Sequence, residues 1–352
     1  MTLSTARGAA RTQPCDGTVA ASGAEVTGVT PDEHELARGT DVKVRPLAEA
    51  DLPTADLIFR RAFGTFLGLP DPSVTFGDAD YVRTRWLADP TASVGDELDG
   101  ELVASNFVTH WGSIGVFGPL TVRPDLWDRG IAKRLMDTTV DILDEWGVRL
   151  GGLFTFAHSA KHIGLYHRYG FWPQHLTFVM ARPTSPAAAT SAWTALSATP
   201  PPDRPAVVAA CREIADLLYP NLDVSREIEQ VARQRLGDTV LVFDDPGLVA
   251  FGICHIGAGS EAGGGACYVK FGAVRPGPRA SYGFEALLDA CAELATQRGA
   301  KILLAGANTG RTEAWEAMIQ HGFRSEIPGV VMHRPNDPGY SIPGRYVIDD
   351  WR

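Results

Sequence analysis

The spacing of hydrophobic and polar positions divides the chain, from about residue 41 onward, into short strands and amphipathic helices. In the first half, this spacing predicts strands at 42–45, 93–98, 101–110, 114–122, 150–156 and 177–181, and helices at 52–66, 78–87 and 131–146. The stretch 158–171 predicts a short helix that ends at a glycine cap, followed by a strand. Asp99 and Gly100 form a favoured two-residue turn between strands, and Asp78 is the expected N-cap of the second helix. This order predicts a mixed α/β fold of the α+β type, with helices flanking a mostly antiparallel central sheet.

The second half of the chain repeats much of this order. The spacing predicts helices at 204–218, 225–236, 282–298 and 312–321, and strands at 239–243, 248–256, 267–274 and 301–305. Val274-Arg275-Pro276 matches Val122-Arg123-Pro124, and His321-Gly322-Phe323 is similar to Tyr169-Gly170-Phe171. The repeat predicts two tandem copies of one fold, at 41–182 and 205–352. The alternative is that the second half is an independent domain with a divergent site of its own.

Two segments lack this periodicity. Residues 183–204 are rich in Pro, Ser, Thr and Ala, which predicts a linker between the two domains. Residues 1–40 mix small and acidic residues, which predicts a disordered tail.

The composition narrows the class of protein. The chain has 352 residues, of which 45% are hydrophobic and 21% charged, as in soluble globular domains. It contains no run of roughly 20 apolar residues, and we expect neither a membrane span nor a secretory signal. The net charge of −10 argues against nucleic acid or an anionic membrane as a partner. Five cysteines without a Cys-x-x-Cys pair suggest a reduced, cytoplasmic setting.

One stretch carries candidate chemistry. Leu120, Thr121 and Val122 end a predicted strand, and a tight loop leads to a helix with Gly130 and Ala132 in its first turn. Small residues leave the backbone amides of a helix start open, and those amides together with the helix dipole attract phosphate. Nearby positive charge comes from the side chains of Arg129, Lys133 and Arg134. The alternative is an ordinary strand–turn–helix connection in which glycine only makes the turn.

A second motif changes the balance between these alternatives. Leu165, Tyr166, Gly170 and Phe171 follow the first motif in the order and spacing found in acyl-CoA enzymes of the GNAT superfamily of N-acetyltransferases. The two motifs together resemble the acyl-CoA site of that family. The chain departs from the family pattern at Trp127, where Gln or Arg is usual, and has Ser159 where the family often has Asn.

The resemblance implies roles for particular residues. The backbone of Leu120, Thr121 and Val122 would contact the pantetheine arm of acetyl-CoA, and Ser159 would assist in cofactor binding. The diphosphate would lie against Trp127, Asp128, Arg129, Gly130, Ile131 and Ala132. Tyr166 would be the general acid for the CoA thiolate, the alternative being a core tyrosine bonded to a backbone carbonyl.

The general base is less well defined by the sequence. His158 is the first candidate because histidine titrates near neutrality, followed by Glu97, Asp96 and His110, and water could also carry the proton. His158 and His162 have a spacing that suits a metal on one helical face, but no third ligand is evident, so we predict no metal.

The second half does not keep the chemical residues. Aligned on the repeats, Tyr282 and Phe284 occupy the positions of Gly130 and Ala132, and Met318 occupies that of Tyr166. Bulky side chains would block a phosphate, so we expect this half to be a structural or substrate-shaping partner.

These inferences predict an N-acyltransferase that moves an acetyl group from acetyl-CoA to a small-molecule or peptide amine, as a monomer or homodimer. The alternative from another class is an acyl-CoA sensor without turnover. A further variant is a tandem enzyme that holds a larger substrate across both halves, in a long cleft at their junction.

Overall fold

The computed structural model describes residues 42–184, 192–245 and 247–352. In the first half the helices are α1 Leu52–Phe66, α2 Val82–Ala88, α3 Ile131–Glu145 and α4 Ala160–Arg168. The strands there are β1 Val42–Pro46, β2 Ser93–Leu98, β3 Glu101–Trp111, β4 Ile114–Phe117, β5 Thr121–Val122, β6 Leu150–Phe156 and β7 Trp172–Pro183.

The second half begins with a strand rather than a helix. Its strands are β8 Trp193–Ala195, β9 Gly237–Asp244, β10 Gly247–Gly257, β11 Gly263–Val274, β12 Ile302–Asn308, β13 Arg324–Arg334 and β14 Val347–Ile348. Its helices are α5 Arg204–Leu218, α6 Ser225–Gln234, α7 Ala280–Gln297 and α8 Thr312–Gln320. The mixed α/β class and the mostly antiparallel sheet are confirmed, and β8, β13 and β14 are strands that the pattern did not predict.

Helix α2 starts later than predicted, because Asp78 does not cap it. The Asp78 carboxylate instead accepts the backbone amide of Gly264 in the second half, at 2.6 Å. Asp80 accepts the amide of Arg83 at 2.9 Å, and the helix begins at Val82. The predicted cap is therefore wrong, and Asp78 joins the two halves instead.

The strands form one continuous sheet in the order β1-β2-β3-β4-β6-β13-β7-β12-β11-β10-β9-β8, with β5 added to β3 and β14 added to β11. Among the described strands, parallel pairing occurs between β4 and β6 and between β11 and β12. Their positions in the sheet are symmetric about its centre, as expected if the second half repeats the first.

Strand β7 of the first half and strand β13 of the second half each pair with the other half. Strand β7 pairs with β12, and β13 pairs with β6, while β7 and β13 also pair with each other at the centre. Because of this exchange, neither 41–182 nor 205–352 holds a complete sheet by itself, and the described residues fall in one compact unit.

The predicted linker is partly an ordered edge of the sheet. Strand β8 pairs with β9, as β1 pairs with β2 in the first half. Trp193 donates its indole N–H to Glu293 Oε2 at 2.9 Å, and Leu196 is buried in the core. Residues 192–204 of the predicted linker are therefore ordered, because two apolar side chains anchor a segment whose average composition is that of a loop. Residues 185–191 and the predicted tail at 1–40 lie outside the described residues.

The core of the second half is built around α7. This helix is buried on most of its surface and packs against β9, β10 and β11. Cys254 and Cys291 lie in this core with their Sγ atoms 3.9 Å apart, and the described cysteines are free thiols. None of the described helices is long and apolar enough to cross a membrane.

Candidate active site

A cleft opens in the first half where two parallel strands separate. Strand β4 pairs with β6 only through residues 114–116 and 150–152. The chain then leaves β6 at Gly118 and Pro119, and β5 pairs with β3 on the other side. The uninterrupted strand predicted at 114–122 is therefore wrong. A cavity of about 700 Å³ fills the space that this separation leaves.

The start of helix α3 faces this cavity with open backbone amides. Gly130 is the N-cap in the left-handed region at φ +79°, and an added Cβ there would meet no atom within 4 Å. The amides of residues 128–132 donate to no acceptor within the described part of the chain. Gly130, Ile131 and Ala132 all line the cavity. Free N–H groups and the positive end of a helix dipole make this wall receptive to an anion.

The loop before α3 is held against the strand by Trp127. Its indole N–H donates to the carbonyl of Val122 at 2.9 Å, so that carbonyl already has a partner. The amide and carbonyl of Leu120 make no backbone hydrogen bond with a described residue. Trp127, Thr121 and Leu120 line the cavity together with Val122. Of the strand groups expected to meet a pantetheine arm, those of Leu120 are the ones that the fold leaves free.

Charges at this end of the cavity come from two helices. Lys133 from α3 and Lys161 and Arg168 from α4 line the cavity. Lys161 Nζ lies 2.5 Å from Asp128 Oδ1 and 5.9 Å from the centre of the Trp127 ring. The negative charge of Asp128, which also lines the cavity, is therefore balanced by that of Lys161.

Two of the predicted basic residues are not at this wall. Arg134 turns toward β2 and pairs with the buried Asp96 at 2.8 Å, so it adds no free charge at the helix start. Arg129 is exposed but does not line the cavity. The spacing of these residues in the sequence did not show where their side chains lie.

Helix α4 carries the predicted general acid into the same cavity. Ser159 caps this helix by accepting the amide of His162 at 3.4 Å, and Ser159 itself lines the cavity. Tyr166 is 8% exposed, and its ring lies edge-on to Phe117 with the centroids 5.8 Å apart. The Tyr166 hydroxyl makes no hydrogen bond with a described residue, and burial raises its pKa above the usual value of 10. The phenol therefore stays protonated at neutral pH.

The predicted base, His158, does not line the cavity. It is exposed and stacks on Phe66 with ring centroids 5.6 Å apart. His162 lines the cavity instead, one helical turn before Tyr166 and 5.1 Å from the Phe66 ring. Burial lowers the pKa of His162, with smaller effects from Lys161 and His158, so a neutral imidazole is favoured. The spacing of four residues between His162 and Tyr166 was the sequence signal that could have identified it.

The other candidate bases are occupied elsewhere. Asp96 is fully buried against Arg134, and Glu97 accepts from Arg45. His110 stacks on Trp146 at 4.7 Å, and burial lowers its pKa. None of these three side chains lines the cavity.

Comparison with known proteins identifies the family of this half. Residues 62–171 match the sequence model described as the acetyltransferase (GNAT) family. These residues form a GNAT domain. No curated protein matches the chain significantly.

The fold likeness extends over both halves. A proposed acetyltransferase from Pyrococcus horikoshii matches with a TM-score of 0.63 and 17% identity, over 88% of this chain and 95% of that chain. A GCN5-related N-acetyltransferase from Sphaerobacter thermophilus matches with a TM-score of 0.56 and 20% identity, over 86% of this chain and 96% of that chain. A GCN5-related N-acetyltransferase from Anabaena variabilis matches with a TM-score of 0.51 and 13% identity, over 83% of this chain and 72% of that chain. At these identities the likeness shows the fold alone.

In the second half, the position that corresponds to the cleft of the GNAT domain is filled by the chain itself. Strand β14 pairs with β11 at Gly272 and Ala273, beyond the stretch in which β11 pairs with β12. Tyr282, expected to block this position, is 70% exposed, whereas Phe284 is buried in the core. Blocking by Tyr282 therefore stays a prediction, while the added strand β14 pairs with β11 at this position.

The cavity of the GNAT domain continues to the junction with the second half. Ile327, Trp351 and Arg352 of the second half line it together with aromatic side chains of the first half. No sequence motif marks these three residues. They reach the cavity only through the exchanged strand β13 and the segment after β14.

Proposed function

We propose that the chain is an acetyl-CoA-dependent N-acyltransferase whose active site is the cavity of the GNAT domain. The observation that carries this proposal is that the open amides at the start of α3 and the unpartnered Tyr166 hydroxyl face one cavity. The diphosphate of acetyl-CoA would lie on the amides of residues 128–132, and the pantetheine arm would run past Leu120. Lys133, Lys161 and Arg168 would supply the positive charge that the acidic chain otherwise lacks.

The reaction follows from this placement. The neutral amine nitrogen attacks the thioester carbonyl, a C–N bond forms, and the C–S bond breaks. The departing CoA thiolate takes the proton of Tyr166, and the proton released by the amine nitrogen passes to His162 or to water. Tyr166 then regains a proton from solvent. Because both reactants are held in one cavity, positioning supplies much of the barrier reduction.

The finer assignments are part of the same proposal. The acceptor is a small-molecule or peptide amine, and the two halves are tandem copies of which the first is catalytic and the second shapes the substrate site. We also propose a cytoplasmic monomer or homodimer with no resident metal. Within the described residues, no group of three His, Cys, Asp or Glu side chains could hold a metal ion.

Two measurements test the proposal. Acetyl-CoA at about 100 times its Kd should stabilise the protein by ~2.7 kcal/mol, seen as a rise in Tm of several degrees. CoA release should then require an amine, with thioester hydrolysis without amine as the control. Binding of acetyl-CoA without release of CoA for any amine would instead support the sensor function.

A further inference from the structure

We propose that the acceptor is an amine that carries a large apolar group and a carboxylate, as an aromatic α-amino acid does. This inference rests on the proposed acyltransferase function and names its substrate class. Two features of the cavity lining carry it, an aromatic wall from the first half and one guanidinium group from the second.

The aromatic wall is formed by helix α1 and its neighbours. Phe59 stacks on Phe76 with ring centroids 5.0 Å apart, and Phe63 lies edge-on to Phe76 at 5.4 Å. Phe66 packs on Phe156 at 5.0 Å. All five rings line the cavity. An apolar group of the acceptor would replace water against this wall, and aromatic rings would gain further from edge or offset contacts.

The charge pattern argues against a polycationic acceptor. Among the residues that line the cavity, the carboxylate is that of Asp128, which lies at the cofactor end beside Lys161. A polyamine or an amino sugar with several ammonium groups would find no acidic partner on the wall. The lining cation outside α3 and α4 is Arg352, at the junction end.

The guanidinium of Arg352 has donors to spare. It lies 3.9 Å from the centre of the Tyr268 ring, and its side chain is 16% exposed. Nε forms an ion pair with Asp350 Oδ2 at 3.3 Å, but neither Nε nor Nη2 makes a hydrogen bond with a described residue. The negative charge of Asp350 offsets part of the Arg352 charge through Oδ2, while its Oδ1 accepts a hydrogen bond from the Tyr268 hydroxyl at 2.8 Å. A planar guanidinium with free N–H groups binds a carboxylate through two parallel hydrogen bonds.

The segment that carries Arg352 is firmly anchored. Asp349 pairs with the buried Arg311 at 2.9 Å, and Trp351 donates its indole N–H to the Tyr340 hydroxyl at 2.7 Å. Arg85 from the first half donates to the carbonyl of Arg352. The second half thereby holds the carboxylate-binding group in place before the substrate arrives, so its side chain loses little freedom on binding.

Matched pairs of amines test the inference on the full chain with saturating acetyl-CoA. The probes are L-phenylalanine against 2-phenylethylamine, which lacks the carboxylate, L-alanine, which lacks the ring, and spermidine. CoA release should give a kcat/KM for L-phenylalanine at least about 10-fold above those of the other three, in line with one charged pairing and one buried ring.

The variant Arg352→Met keeps an unbranched, flexible side chain, shorter than that of arginine, and removes its charge. It should raise KM for L-phenylalanine about 10- to 100-fold with little change in kcat, and leave 2-phenylethylamine unaffected. Arg352→Lys should recover part of the loss. The matched control is Arg212→Met, which breaks an ion pair with Asp223 outside the cavity and should change neither substrate. The rise in Tm with acetyl-CoA shows that each variant is folded.

Each result decides the inference. Equal kcat/KM for L-phenylalanine and 2-phenylethylamine, a preference for L-alanine or spermidine, or an equal loss for both aromatic amines in Arg352→Met would overturn it while the acyltransferase function stands. Bound acetyl-CoA with no transfer to any amine would overturn the proposed function and this inference together.

Discussion

Replacing Tyr166 with phenylalanine separates a catalytic role from a structural one. The hydroxyl makes no hydrogen bond with a described residue and lies in the cavity, so its removal leaves no buried partner unsatisfied. Burial of a phenol without a partner is itself unfavourable. We therefore expect Tyr166→Phe to change the free energy of unfolding by less than about 0.5 kcal/mol, in either direction.

The effect on turnover should be much larger than the effect on stability. Loss of a general acid costs roughly 10²- to 10⁴-fold in rate. A thiolate is a fair leaving group, since thiols have a pKa near 8.5, so the lower end of this range applies. A fall in kcat of about 100-fold corresponds to ~2.7 kcal/mol of barrier. The Kd of acetyl-CoA should stay within about twofold, because the amides that bind it are untouched.

Tyr169 offers a control in the same motif. Its hydroxyl lies 2.9 Å from both the Lys133 carbonyl and Asp137 Oδ1, and it does not line the cavity. Tyr169→Phe should cost about 0.5–1.5 kcal/mol of stability and leave kcat nearly unchanged. The assay combines thiol release at saturating amine with urea unfolding. A Tyr166→Phe enzyme with kcat within threefold of the original, or one destabilised as much as Tyr169→Phe, would refute the reasoning.

The remaining predictions concern cofactor binding and a buried group of ion pairs in the second half. Gly130→Val and Gly147→Val both place a side chain at positive φ, at +79° and +63°, with no neighbour within 4 Å, so both should lose ~1–2 kcal/mol of stability. Only Gly130→Val should also abolish the rise in Tm with acetyl-CoA, and an equal rise in both variants would contradict the placement of the diphosphate. Lys270 lies 2.9 Å from both Glu227 and Glu261, and it helps to hold the pKa of Glu227 at about 2, below the ordinary 4.5. A depressed carboxyl pKa stabilises the folded state above pH 4.5, so stability should fall as the pH drops from about 4.5 toward 2. Lys270→Met should lose about 3–5 kcal/mol at neutral pH in urea unfolding, and a loss below 1 kcal/mol would contradict this.

Local pattern was a good guide to the elements. Helices α1 and α5 and strand β6 have the bounds that the spacing predicts, because each has a regular apolar face with clear ends. The errors lie where a contact distant in sequence overrides a local signal. Asp78 accepts an amide of the second half instead of capping α2, and Trp193 anchors a strand within a segment that has the composition of a linker.

In the candidate site, too, local signals were good guides and distant contacts were not. The residues predicted for cofactor binding line the cavity except Arg129, and so does Tyr166, whereas none of the side chains predicted as the general base does. Those in the cavity belong to two motifs in which the chain must turn sharply or end a helix, and such turns are encoded locally. His158 stacks on Phe66 outside the cavity, a position that no spacing reports, and its role as general base stays a prediction.

The sequence by itself determined the local pieces of this protein: the order of helices and strands, the open glycine at the start of α3 and the tyrosine on α4. The tertiary structure alone decided the exchange of β7 and β13, the filling of the second cleft by β14 and the arrival of Arg352 at the cavity. The physical reason is that backbone conformation and amphipathic spacing depend on neighbours within a few residues. Strand pairing and burial depend on partners that are distant in sequence, whose positions are set only when the whole sheet forms.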